Sequence, residues 1–507
     1  MSAQTNELFD IIRSLTPQEK TFFKAYFLKA KEEEGTPSFL LLFDAMNEME
    51  FYDKHELKLI LTKKGFKSNY FKAQTYLTEA ILSALTKYHS ETENSIKLGN
   101  LLQEVNILIK KNLFHTAHKY FDKAQKMANA HTMYEYQLLL DYVGFHFHEK
   151  KQAWVDKYML SVNAHLKEFG LETELRKAGF DALNLAIEHY DKHASESMVK
   201  KNASKVLEKL NYISKNLSLN NFSKSRYYSS KIQCLMILNN SAALNREIKE
   251  YSQYLKSLPN TNAFFARTVL HGYNSIVIAL ANMRDFSTIE RTFSAAETYF
   301  HSLSPKTCTP DISSLYYSYI VENMLAIFNE TGLPEKTLNL WEENKNEIHR
   351  YGKKNSVSLC AMNVALGQFM QGDFHKAVRL ANTIPYEPVR PTVYCEANLL
   401  LLLSHYELNN IDILPSLAKQ ARRSYDKCNI LKEEDSILFN FFEKKIVKLN
   451  SKQEKAIAFA YLKQSMEACK DQAGADATTG SIKVDLWLDS KIKDMSYAEL
   501  VQKSSEG

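Results

Sequence analysis

Apolar residues along this chain recur at steps of three and four, and the pattern restarts after short polar turns. Asn112-Leu113-Phe114 is followed by Ala117, Phe121 and Ala124, and Arg284-Asp285-Phe286 by Ile289, Phe293 and Ala296. Asn409-Asn410-Ile411 is followed by Leu414, Ala418 and Ala421. Gly372-Asp373-Phe374 leads into Ala377 and Ala381, and Gly332-Leu333-Pro334 into Thr337 and Trp341. That spacing keeps residues on one helix face, so each phrase predicts a turn followed by a helix with a packing stripe. Turns fall near Asn112, Lys151, His193, Asn239, Arg284, Gly332, Gly372, Asn409 and Asn450, at intervals of 37 to 48 residues. Each interval has room for two helices of roughly 15–20 residues. A hairpin of that size cannot bury a core alone, so the period predicts about nine stacked hairpins over residues 95–470.

Both ends read differently. In Thr16-Pro17-Gln18-Glu19, Thr is placed to cap a helix, Pro to open it and Glu to reach back to the cap. Glu32-Glu33-Glu34-Gly35 should end that helix, since acids are disfavoured at a helix C-terminus and Gly permits a left-handed cap. Further helices are expected near 36–49, 53–63 and 68–88, which makes residues 1–90 a separate helical module. Residues 471–481 are small and polar and read as a linker. In the tail, 482–507, Val484, Trp487, Leu488 and Ile492 share one helical face, and Ser496-Tyr497-Ala498-Glu499 spells a second capping box. An exposed Trp-Leu-Ile stripe should not stay in water. The tail is expected to dock back and cover the apolar end of the last hairpin; the competing reading is a free, partner-recruiting peptide.

The turn phrase resembles the tetratricopeptide repeat (TPR), in which a turn precedes an aromatic, a small residue three later, an aromatic four after that and another small residue. Asn112 to Ala124 fits well, with Leu101 and Leu108 where the preceding helix contributes, and Gly372 to Ala377 fits closely. Thr337, Leu414 and Ile289 stand where the family has its second-helix alanine, and the period exceeds the family's 34. The expectation is therefore an all-α, TPR-like α-solenoid of about nine hairpins with a small N-terminal helical module. The resemblance implies that the first helix of each hairpin lines a concave, peptide-binding side.

Composition agrees. In 507 residues there are only 14 Gly and 10 Pro, too few for many strands joined by tight turns. A helical content near ~75–80% follows, far above an average domain. The first residues lack both a basic start and an apolar core, and the longest aliphatic run, Leu399–Leu403, is too short to span a bilayer. Cys234, Cys308, Cys360, Cys395, Cys428 and Cys469 show no Cys-x-x-Cys, which favours reduced, packed thiols and a cytoplasmic location.

Net charge is only +5, yet the segment 198–256 alone carries eleven Lys/Arg against three acids. Within it, Lys224, Arg226 and Lys231 alternate with Tyr227 and Tyr228, a mixture that tracks phosphates and stacks on bases. The same spelling gives a solvated face over core tyrosines. A second nucleic-acid candidate is the helix–turn–helix spelling over 56–85, which offers Lys67, Asn69, Lys72 and Gln74 to a groove; an ordinary hairpin is spelled alike. His115 and His118, at i, i+3, could face one ligand, but His146 and His148, at i, i+2, point apart on a helix and no Cys is near, so all four read as surface or packing residues. There is no phosphate loop, dinucleotide fingerprint, nucleophile elbow or zinc-protease motif. No catalytic, cofactor-binding or metal-ligating residue is predicted. The expected function is a non-catalytic scaffold or adaptor that binds a protein or peptide. The alternative is a nucleic-acid-linked regulator using the basic stretch or the N-terminal module.

Overall fold

A computed structural model describes residues 7–28, 38–49, 52–66, 68–90, 93–130, 133–148, 152–191, 195–217, 219, 221–260, 263–305, 307–386, 391–449, 451–473 and 481–506. Every regular element among them is a helix. The chain forms two compact units, Met1–Glu174 with Ile213–Asn220, and Leu175–Tyr212 with Asn221–Gly507.

In the first unit the opening capping box is formed. The Thr16 N–H donates to Glu19 Oε2 at 2.7 Å, and the Glu19 N–H to Thr16 Oγ1 at 3.2 Å. Helices Pro17–Leu28, Ser38–Glu48, Lys54–Lys63 and Tyr70–His89 follow. Ile12, Phe23, Leu42, Phe43, Met46, Leu77 and Ile81 are fully buried among them. Two features expected from the sequence, the Glu32–Gly35 stop and Lys67, lie outside the described residues. The hairpin of Asn94–Lys110 and Phe114–Ala130 then packs through Leu98, Val105, Phe121 and Ala124, with Ala117 also fully buried on its stripe.

One interval departs from the expected pairing. Between the turn positions 151 and 193, which lie outside the described residues, Gln152–Asp191 is one helix of 40 residues instead of two. It contains no Pro, and its interior Gly170 stays helical with open space at the missing Cβ. Nothing in that stretch breaks a helix.

The second unit is a succession of hairpins: 221–257, 263–301, 310–351, 354–381, 391–427 and 433–473, followed by helices Val484–Lys493 and Tyr497–Glu506. The turns inside the first five share one mechanism. Asn239, Arg284, Gly332, Gly372 and Asn409 all have positive φ, as Asn112 does in the first unit. Just after each, a backbone N–H reaches back over a left-handed cap, as in Asp285 to Leu280 O at 3.0 Å and Asp373 to Gln368 O at 2.9 Å. Asn240, Asp285 and Asp373 then cap the next helix by accepting from the N–H three residues on. One helix thus stops and the next starts with only three residues between them, which forces an antiparallel pair.

The second helix of each pair presents its stripe to the first. Ile289, Thr337, Ala377 and Leu414 are all fully buried. Thr337 brings a hydroxyl to this tight position and satisfies it internally, donating to Asn329 Oδ1 at 2.9 Å. Asn329 in turn donates to Asn363 O at 2.7 Å, tying one hairpin to the next. Among the described residues, Ala263–Asn282 is the one helix long and apolar enough to cross a membrane, and ten of its residues are buried against the unit's other helices.

Candidate partner-binding surfaces

The residue pattern that predicted a docking tail has its answer within the second unit. Helix Val484–Lys493 lays its apolar face onto the array, with Trp487 and Leu488 buried and Val484 nearly so. The Trp487 ring lies 5.5 Å from Tyr406, 5.6 Å from Phe459 and 6.2 Å from Phe442, centre to centre. Its indole N–H donates to Glu407 Oε1 at 2.7 Å, so the polar edge is satisfied as the ring is buried.

Ionic contacts fix the register. Lys491 pairs with the same Glu407 oxygen at 2.5 Å, and Lys463 with Asp489 at 2.7 Å. Burial raises the Asp489 pKa, but hydrogen bonds from Lys463 and Lys493 outweigh it and leave the carboxyl below its usual range. Upstream, the Ser481 N–H donates to Glu396 Oε1 at 2.9 Å. Burial holds the Glu396 carboxyl above its usual range despite that bond. One hairpin earlier, Arg422 pairs with Glu443 at 3.0 Å. Both pairs join a cation on a hairpin's second helix to an acid on the helix that follows, so Val484–Lys493 continues the series.

The last helix crosses back further. Tyr497 lies 5.8 Å from the Phe369 ring, its hydroxyl accepts from the Lys483 N–H at 2.9 Å, and Lys483 Nζ donates to Glu330 O at 3.2 Å. At Gly332 a Cβ would sit 2.5 Å from the Gln502 backbone nitrogen. The tail therefore docks, and it reaches from the last hairpin back to the turn after Glu330. Of its two capping-box bonds, the Glu499 N–H to Ser496 Oγ bond is formed at 3.2 Å. Sequence reasoning found the tail's stripe but not Glu396, Glu407 or Lys463, because charges 26 to 85 residues from their partners leave no local signal.

Residues 224–231 of the basic stretch also lie in the second unit, half-buried. Lys224 Nζ sits 4.8 Å over the Tyr254 ring, and Lys231 pairs with buried Glu247 at 2.8 Å and donates to the Tyr227 hydroxyl at 3.1 Å. The Arg226 stem packs against Gly179. The three cations share one helix, and each is engaged with the protein's own side chains or backbone.

In the first unit, Lys54–Lys63 ends at Gly65 with φ +72, and Asn69 caps the next helix by accepting from the Lys72 N–H. Asn69 is thus committed to the fold, while Lys72 stays exposed beside Phe71 and Gln74 is half-buried. His118 lies 3.9 Å from Asp122 on an exposed face, and the His146 and His148 side chains are outside the described residues. No group of three His, Cys, Asp or Glu able to hold a metal ion occurs among the described residues. All six cysteines are free thiols, and burial pushes Cys234 and Cys395 up to about 12. Such thiols are protonated and poorly nucleophilic near neutral pH.

No family model matches the chain, and no curated protein matches it. Among solved structures, it is similar to a signal-transduction ATPase with numerous domains that carries a tetratricopeptide-repeat sensor, from Pyrococcus horikoshii. The identity is 14%, over 93% of this chain and 67% of that one, with a TM-score of 0.42.

Proposed function

We propose that this protein is a non-catalytic interaction module, a helical-repeat scaffold that seats amphipathic helices of other proteins. One observation carries the reading: the repeat surface already holds two such helices, 484–493 and 497–506, through an apolar stripe flanked by ion pairs. A surface that recognises a helix by buried apolar anchors and peripheral charges is the helix-in-groove mode of peptide recognition. A cytoplasmic scaffold or adaptor role follows from the same reading.

The nucleic-acid alternative draws less support, since Lys224 and Lys231 already have partners within the protein. Replacing Lys231 would also strand the buried Glu247 charge, so substitutions there mix binding with folding. The test is affinity capture with the full chain from native lysate, with and without nuclease. Protein partners that persist after nuclease support the scaffold. Capture of nucleic acid alone, with an affinity that falls steeply with salt, would replace it with the alternative.

A further inference from the structure

Helices Glu433–Lys444 and Lys452–Ala473 enclose, beside the stripe that takes the tail, an apolar hollow of about 600 Å³. Ile437, Phe441, Leu449, Ile457 and Tyr461 line it. The tail does not cover this side: Trp487 meets Phe459, whereas Ile457 and Tyr461 remain 66% and 63% exposed. A small ligand would fill the hollow and leave the outer faces of both side chains wet. Only a protein surface covers them.

The groove's shape and charge point to one such surface. Along Lys452–Ala473 the exposed stripe is bulky in its first half, at Ile457 and Tyr461, and small in its second, at Ser465 and Ala468. Set antiparallel on a second copy about an axis at Tyr461, Ile457 faces the partner's Ser465 on both sides, and the two Tyr461 rings meet each other at the axis. Charge is polarised along the same direction. At the connection between the two helices, Lys444, Lys445, Lys448 and Lys455 outnumber Glu454, while Glu443 is engaged by Arg422 and Lys452 by Asp494. At the opposite end Glu433, Glu434 and Asp435 outnumber Lys432, while Glu467 is engaged by Lys463 and Lys470 is offset by Asp471. Burial first, and then the neighbouring Glu433 and Glu434 charges, hold the Cys469 thiol above its usual range, and that proximity places the two carboxylates beside the far end of Lys452–Ala473. A two-fold axis brings each basic end onto an acidic end, twice. The patch supplies both knob and hole, the condition for an isologous contact.

We propose that this groove is a dimer interface, filled by the same groove of a second copy about a two-fold axis near Tyr461. This goes beyond the interaction-module reading and does not depend on it: a dimer could form whether or not the protein captures partners. The test is sedimentation equilibrium of the full chain at micromolar concentration. The expected mass is twice the 58.4 kDa of one chain, falling to one chain in Tyr461→Glu, whose far-ultraviolet circular dichroism spectrum matches the parent because the side chain is exposed. Reversing Glu433 and Glu434 to Lys should weaken the dimer, and adding Lys445→Glu and Lys448→Glu should restore it. A monomeric parent overturns the proposal, as does a dimer indifferent to Tyr461→Glu. A monomer that loses a captured helix in Tyr461→Glu overturns it in favour of a heterologous partner.

Discussion

Two glycines in equivalent turns allow the seating of the last helix to be weighed apart from backbone strain. Gly332 and Gly372 have φ of +73 and +81, so alanine at either must adopt the left-handed conformation, at about 1–2 kcal/mol. At Gly372 the added Cβ meets nothing within 4 Å. At Gly332 it would stand 2.5 Å from the Gln502 nitrogen and 2.7 Å from Ala498 O. Those are backbone atoms of Tyr497–Glu506, which cannot rotate aside, so the helix must shift. Overpacking of that kind costs about 1–3 kcal/mol. Gly372→Ala should therefore destabilise by ~1–2 kcal/mol and Gly332→Ala by ~2–5 kcal/mol, the sum of both effects. Urea midpoints from far-ultraviolet circular dichroism give the difference, provided the two slopes agree. Amide exchange across 497–506 should accelerate in Gly332→Ala only. Equal midpoints with unchanged exchange would refute the placement of that helix on the Gly332 turn.

Three further outcomes follow. Ala377→Leu should lose ~1–3 kcal/mol by overpacking a fully buried site, whereas exposed Lys419→Ala should be near neutral; denaturation midpoints compare them. Because the Asp489 carboxyl is held below its usual range, its contribution is present above the unfolded value near 3.8 and lost as pH falls through the lower folded value. Melting temperatures measured against pH should thus show Asp489→Asn less stable than the parent near neutrality, with the gap closing in acid. Truncation after Ala473 should lower the melting temperature and promote self-association, since Tyr406, Phe442 and Phe459 lose the Trp487 ring that covers them; light scattering during a thermal scan reads both.

The turns were legible because their chemistry is local. Asn, Gly or Arg followed by Asp or Asn spells a left-handed stop and an N-cap together, and the positive φ values fall on the very residues that the hydrophobic phrase marks. The stripe Ala117, Ile289, Thr337, Ala377 and Leu414 was legible for the same reason, since helical periodicity fixes which residue faces the partner helix. The 40-residue helix at 152–191 was not, because a period inferred from neighbouring intervals was imposed on a stretch with no breaker of its own. Asn429, with φ +54, also turns the chain, but it carries no downstream small-residue phrase. The tail's amphipathic face could be read, whereas its seat could not: Glu396, Glu407 and Lys463 become neighbours of the tail only through stacking. The basic alternation at 224–231 shows the reverse hazard, for a pattern that suits phosphate is spent here on Tyr254, Tyr227 and Glu247.

The most direct test of a repeat surface built to seat amphipathic helices is the environment of Trp487. With Trp154 and Trp341 replaced by Phe, the remaining indole should emit at the short wavelength of a buried ring and resist iodide quenching, since Trp487 is fully buried and hydrogen-bonded to Glu407. Emission like that of free indole in water, with full quenching, would contradict the account.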